Sequence, residues 1–118
     1  AVNYFNSIID LGWGTYSVYM NLALMYGADN RYDESFSTYS EIIKQYGESY
    51  QPYKNMALLE AQRQSGIEND LRDYGTFNEY YTKAKELFAA SGIAGDMDMD
   101  MQRLDQIYIS LRDLGWLD

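Results

Sequence analysis

The sequence predicts an all-α fold of about six short helices arranged as antiparallel hairpins. Apolar residues recur at helical spacing along most of the 118 residues. A heptapeptide, Tyr19-Met20-Asn21-Leu22-Ala23-Leu24-Met25, returns 34 residues later as Tyr53-Lys54-Asn55-Met56-Ala57-Leu58-Leu59. Strand-like alternation occurs only in Asp96-Met97-Asp98-Met99-Asp100, which has no partner segment.

The elements follow in order. Residues 3–11 carry Phe5, Ile8 and Ile9 on one helical face. Residues 15–28 form the next helix, capped by Thr15 and apolar almost all round, which implies cover on two sides. Asn30 is expected to cap a helix over 31–46, with Tyr32, Phe36, Tyr39, Ile42, Ile43 and Tyr46 in period and Gly47 as the stop. Ser49 caps a helix that tolerates Pro52 in its first turn and ends at Ser65-Gly66. Residues 67–75 read as an inserted loop with about one helical turn. Thr76-Phe77-Asn78-Glu79 reads as a capping box opening a helix that runs to Ser91. The last helix spans 98–114, with Met101, Leu104, Tyr108, Leu111 and Leu114 as its buried stripe. Asp10-Leu11-Gly12-Trp13 and Asp113-Leu114-Gly115-Trp116 both read as glycine-stopped helix ends, each tryptophan folding back on its helix.

Composition removes several function classes. The chain has no cysteine and no histidine, which excludes most nucleophile–base pairs and most transition-metal sites, so no cofactor is expected. Eighteen acids against nine bases give a net charge of −9, which repels phosphate backbones and anionic membranes. No nucleic acid and no direct membrane contact are therefore expected. No apolar run approaches the ~20 residues of a membrane span, and no leader pattern is visible. Ala1 in place of methionine reads as the start of a piece of a longer protein. The compartment stays open, cytoplasm and the outer region of a membrane-anchored protein both being compatible.

The residues resemble the tetratricopeptide repeat family, whose 34-residue pattern is Trp-x2-Leu-Gly-x2-Tyr, then Ala-x3-Phe, then Pro. The first unit matches at Tyr19, Leu22, Ala23 and Tyr26, then Ser35 and Tyr39, with Gly47 at the proline position. The second matches at Tyr53, Met56 and Ala57, has Glu60 for the tyrosine, and finds its small–aromatic pair in Ala84 and Phe88, about 15 residues late. The resemblance covers about 15–92. It implies one domain, 1–118, with hairpins at 15–47 and 49–92, capping helices at 3–11 and 98–114, and a short right-handed superhelical stack. Small residues at Ala23, Ala57 and Ala84 let paired helices approach, and Tyr19, Tyr39, Tyr53 and Phe88 fill the space beside them.

Three local patterns invite a sharper reading. Asp96-x-Asp98-x-Asp100 resembles the start of a calcium loop but has Met101 and Ile107 where glycine and glutamate belong, so no metal is expected. Of thirteen tyrosines most fall at core spacing, with Tyr50 and Tyr74 expected at the surface. Glu60, with Arg63 three residues on, reads as an ion pair or a surface glutamate, and no catalytic constellation is visible.

In the tetratricopeptide family the first helix of each hairpin lines the ligand surface. That resemblance casts Ser17, Met20, Asn21 and Leu24, repeated as Gln51, Lys54, Asn55 and Leu58, as the binding stripe. The expected function is a protein- or peptide-binding scaffold module, not an enzyme. The alternative is an architectural spacer or self-association unit, including a homodimer through an open repeat face. Lys54 is the one base on the stripe, which argues against the variant that captures a terminal carboxylate.

Overall fold

Where the chain can satisfy its end groups, it turns. A computed structural model describes residues 2–117, and among these every regular element is helical. The six α-helices are α1 (Val2–Asp10), α2 (Tyr16–Ala28), α3 (Tyr32–Tyr46), α4 (Tyr50–Ser65), α5 (Gly75–Ser91) and α6 (Met99–Asp113), with short 3-10 turns at Asn69–Leu71 and Gly95–Met97. Thr15 accepts from the Val18 amide and opens α2, as expected. Gly47, at φ 85°, closes α3.

Two starts differ from expectation. Asn30 does not cap α3: Arg31 holds that position, while Asn30 occupies the left-handed region at φ 59° and its Oδ1 accepts from the Tyr32 hydroxyl. The capping box is absent too. α5 starts one residue early at Gly75, whose amide donates to Asp73 Oδ1, so Thr76 already lies inside the helix. Ser49 stands at the start of α4 without a side-chain cap bond.

The helices fall into two compact units, residues 1–48 and 49–118. In the first, α2 is flanked by α1 and α3, which accounts for its apolar circumference. The α2–α3 contact is close because both partners are small there. Ala23 is fully buried, and Ser35, 1% exposed, donates from Oγ to the Ala23 carbonyl at 2.7 Å. Tyr39 and Ile42 fill the space beside it. Asn6 of α1 donates to the Tyr26 hydroxyl, and the Arg31 guanidinium lies 4.7 Å from the Tyr26 ring centroid.

In the second unit α4 pairs with α5, and α6 packs on both. Ala57, Ala84, Phe77 and Leu104 are all fully buried at its centre. An aromatic run binds the layers, with ring centroids 5.3 Å apart from Trp116 to Tyr74, 6.3 Å on to Phe77, 6.0 Å to Tyr81 and 4.4 Å to Tyr108. Tyr74 and Tyr50, expected at the surface, are instead core residues, because α6 covers the rings that α4 and α5 alone would leave open.

Both Asp-Leu-Gly-Trp ends close in the same way. Trp13 and Trp116 donate their amides to Ile8 and Leu111, and the glycines at φ 81° and 87° donate to Ile9 and Arg112. Their side chains part company: Trp116 seats on Tyr74, whereas Trp13 stays exposed. Leu114 also leaves the predicted stripe: it is the C-cap residue of α6 and is 74% exposed.

The 67–75 segment is a stitched loop. Gln64 Oε1 accepts from the Asp73 amide at 2.9 Å, and Arg72 donates to the carbonyls of Ile67 and Ser65.

These placements give two expected outcomes. Leu104→Ala should cost about 2–5 kcal/mol in denaturant unfolding, whereas Leu114→Ala, at the exposed end of α6, should stay within about 0.5 kcal/mol. Gln64→Ala should cost about 1–3 kcal/mol by leaving the Asp73 amide unpaired, and limited proteolysis should then nick within 67–75 faster than in the wild type.

Candidate binding surface

The stripe on α2 is open at its centre. Ser17, Asn21 and Leu24 are exposed, Leu24 at 44%, while Met20 is buried. Spacings of three and four residues bring Ser17, Asn21 and Leu24 to one side of the helix. The Asn21 amide has no hydrogen-bond partner among the described residues.

On α4 the same register positions meet more cover. Gln51 is exposed, Asn55 is half-buried, and Leu58 packs against the core of the second unit. Lys54 is 8% exposed. Its Nζ donates to Asp98 Oδ2 at 3.1 Å, and the Tyr50 hydroxyl donates to the same oxygen at 2.9 Å. Asp98 Oδ1 meanwhile accepts from the Met101 amide and caps α6. One carboxylate thus ties the start of α6 to the first turns of α4. Lys54 belongs to that tie and is not displayed to solvent. The 34-residue echo gave no sign of it, because the pairing partner lies 44 residues away.

Burial opposes the charge on Asp98, but bonds from the Met101 amide, Lys54 and Tyr50 outweigh it and hold the carboxyl below its ordinary value. A second acid, Asp105 on α6, accepts from the Tyr81 hydroxyl at 2.8 Å and pairs with Lys85 at 3.1 Å, both from α5. Burial first, then that bond and the carboxylate charge, push the Tyr81 phenol far above its usual range.

Glu60 is the other buried acid, 1% exposed. Its Oε1 accepts from Arg63 at 2.9 Å and Gln64 at 2.8 Å, and its Oε2 has no partner. The ion-pair half of the sequence expectation holds and the surface half does not: packing of α5 on α4 encloses the position where the first unit carries Tyr26.

Two clefts of the first unit lie off the stripe. One of about 440 Å³ is lined by Val2, Asn3, Met25, Ala28, Asp29 and Arg31. The other, about 300 Å³, lies beside Tyr26, Asp33 and Ser37. The acids at 96–100 do not converge, and no group of three or more metal-ligating side chains forms among the described residues.

Asp98 supplies a pH test with a definite sign. Its folded pKa is lowered, so its contribution is complete above the ordinary carboxylate value of about 4 and is lost as the pH falls through the lowered folded value. Asp98→Asn should therefore cost about 1–3 kcal/mol at pH 7, and its melting-temperature gap from the wild type should close as the pH is taken below 4. A gap constant with pH would show that the carboxylate charge contributes nothing.

No protein-family model, no curated protein and no solved structure matches the chain.

Proposed function

We propose that the chain is a protein- or peptide-binding helical scaffold of tetratricopeptide-like type, with the first helix of its hairpins as the ligand-bearing element. One observation carries the reading. An asparagine and a leucine stand exposed at the centre of α2, Asn21 without an internal partner, and the same two residue types recur 34 positions later on α4. An asparagine is a poor helix former, so its place mid-helix favours a use for its amide. Beside an exposed leucine it offers a partner backbone one donor, one acceptor and an apolar contact. The bound segment is extended or helical and does not depend on a terminal carboxylate, since Lys54 is engaged by Asp98. No catalytic role is proposed, in keeping with the absence of histidine and cysteine.

The architectural alternative has one observation in its favour. Asp98, the cap of α6, engages Lys54, and Leu58 packs on the core of the same unit, so the α4 part of the stripe already has an occupant.

The test is affinity capture on the full chain and on its Asn21→Ala, Leu24→Lys variant. Both positions are exposed, so the variant should unfold within about 0.5 kcal/mol of the wild type. Proteins retained by the wild type should be retained at least about tenfold less, the equivalent of 1.4 kcal/mol. Undiminished retention by a folded variant would remove the α2 stripe from the binding surface.

A further inference from the structure

Sulfur enters this chain only through six methionines, because cysteine is absent. Folding divides them. Met20, Met56 and Met101 are buried, and Met25 is half-buried. Met97 and Met99 are instead 74% and 79% exposed, and a single residue separates them. Among the described residues no large apolar side chain is more exposed than these two.

The residue between them, Asp98, fixes where they point. Its backbone is extended, at φ −131° and ψ 102°, and its carboxylate turns inward to the Met101 amide, Lys54 and Tyr50. The neighbours of an extended residue leave the chain on the side opposite to it. Both methionines therefore project to solvent as Asp98 goes in, from Cα atoms roughly 6–7 Å apart. Hydrogen bonds hold this segment on both flanks, the Met97 amide donating to the Ala94 carbonyl and Gln102 Nε2 to that of Gly95. Two unbranched side chains rooted at that spacing can bring their sulfurs to a common point.

We propose that Met97 and Met99 form a binding site for a soft monovalent cation of the copper(I) class, held between their two thioether sulfurs. The donors select the ion. Thioethers favour copper(I), whereas calcium and magnesium take oxygen ligands. No three carboxylates gather among the described residues, so a hard divalent ion finds no ligand set here. The start of α6 opposes a cation with a positive end worth about half a charge. Asp96 and Asp100, exposed on either side of the pair, carry two full negative charges and outweigh it. These acids supply the field and the sulfurs supply the bonds, while the Asp98 carboxylate stays engaged with α4 and the α6 cap. The inference is independent of the α2 stripe.

The experiment follows the carbon-13 labelled methionine methyl groups of the full chain by NMR, as silver nitrate is added in chloride-free buffer. Silver(I) is the air-stable analogue of the proposed ion. The Met97 and Met99 signals should shift together and saturate at one silver per chain, with those of Met20, Met56 and Met101 unmoved. Copper(I), added without oxygen, should shift the same two signals, and millimolar calcium or magnesium should shift neither. Met97→Leu and Met99→Leu keep an apolar side chain at an exposed position, so each variant should stay folded. Each should weaken silver binding at least about tenfold, because loss even of a group that only supports a ligand costs that much. The double variant should have no saturable site. Absence of a shift with either soft ion at millimolar concentration, a buried methionine responding first, or undiminished binding by the double variant overturns the proposal. An equal response to calcium overturns it too, since the acids would then be the ligands.

Discussion

Two helices can come as close as α2 and α3 do only where neither carries bulk at the crossing, and the hairpins of this chain depend on that condition. Ala23, Ala57 and Ala84 have no exposed surface. At Ala23 the approach is tight enough for a serine hydroxyl on the facing helix to bond a main-chain carbonyl that already belongs to the helix ladder. The bulky neighbours Tyr39 and Phe88 are admitted because the alanines leave room beside them, and dense packing then fixes their rotamers. A larger residue at any of the three alanines would push the helices apart and open the space the aromatics fill.

The second unit adds polar ties of a kind that simple repeat packing does not require. Burial of Lys54, Asp98 and Glu60 is costly unless each charge is met by a partner of good geometry. Asp98 meets that condition with three donors, one of them the amide that starts α6. Glu60 meets it on one oxygen only. The same acid links through Gln64 to the Asp73 amide, so a buried charge in α4 also sets the path of the loop leading to α5. Position 26, the first-unit counterpart of Glu60, solves the problem differently. Its tyrosine takes a hydrogen bond from Asn6 and an arginine across its face.

These differences give the two first helices distinct surfaces despite their shared heptapeptide. α2 keeps Asn21 and Leu24 in contact with water, whereas α4 has Lys54 and Leu58 taken up by α6 and the core. A stripe that looks duplicated in sequence is therefore available on α2 and largely committed on α4.

The sequence by itself determined the helices, most of their ends and the small–large pairs that join them, because those features rest on contacts within a few residues or on side-chain volume. Thr15, Gly47 and Ser65-Gly66 act locally, and Ala23 with Ser35, Tyr39, Ala57, Ala84 and Phe88 follow from size alone. Only the tertiary structure decided which faces were covered. Periodicity places Tyr50, Lys54, Glu60 and Tyr74 on a side of a helix, but whether that side meets water depends on where α5 and α6 come to lie. Leu114 and Trp13 are the converse, apolar residues whose local turn is legible and whose cover is not there. Helical period is a property of the backbone, and burial is a property of its neighbours.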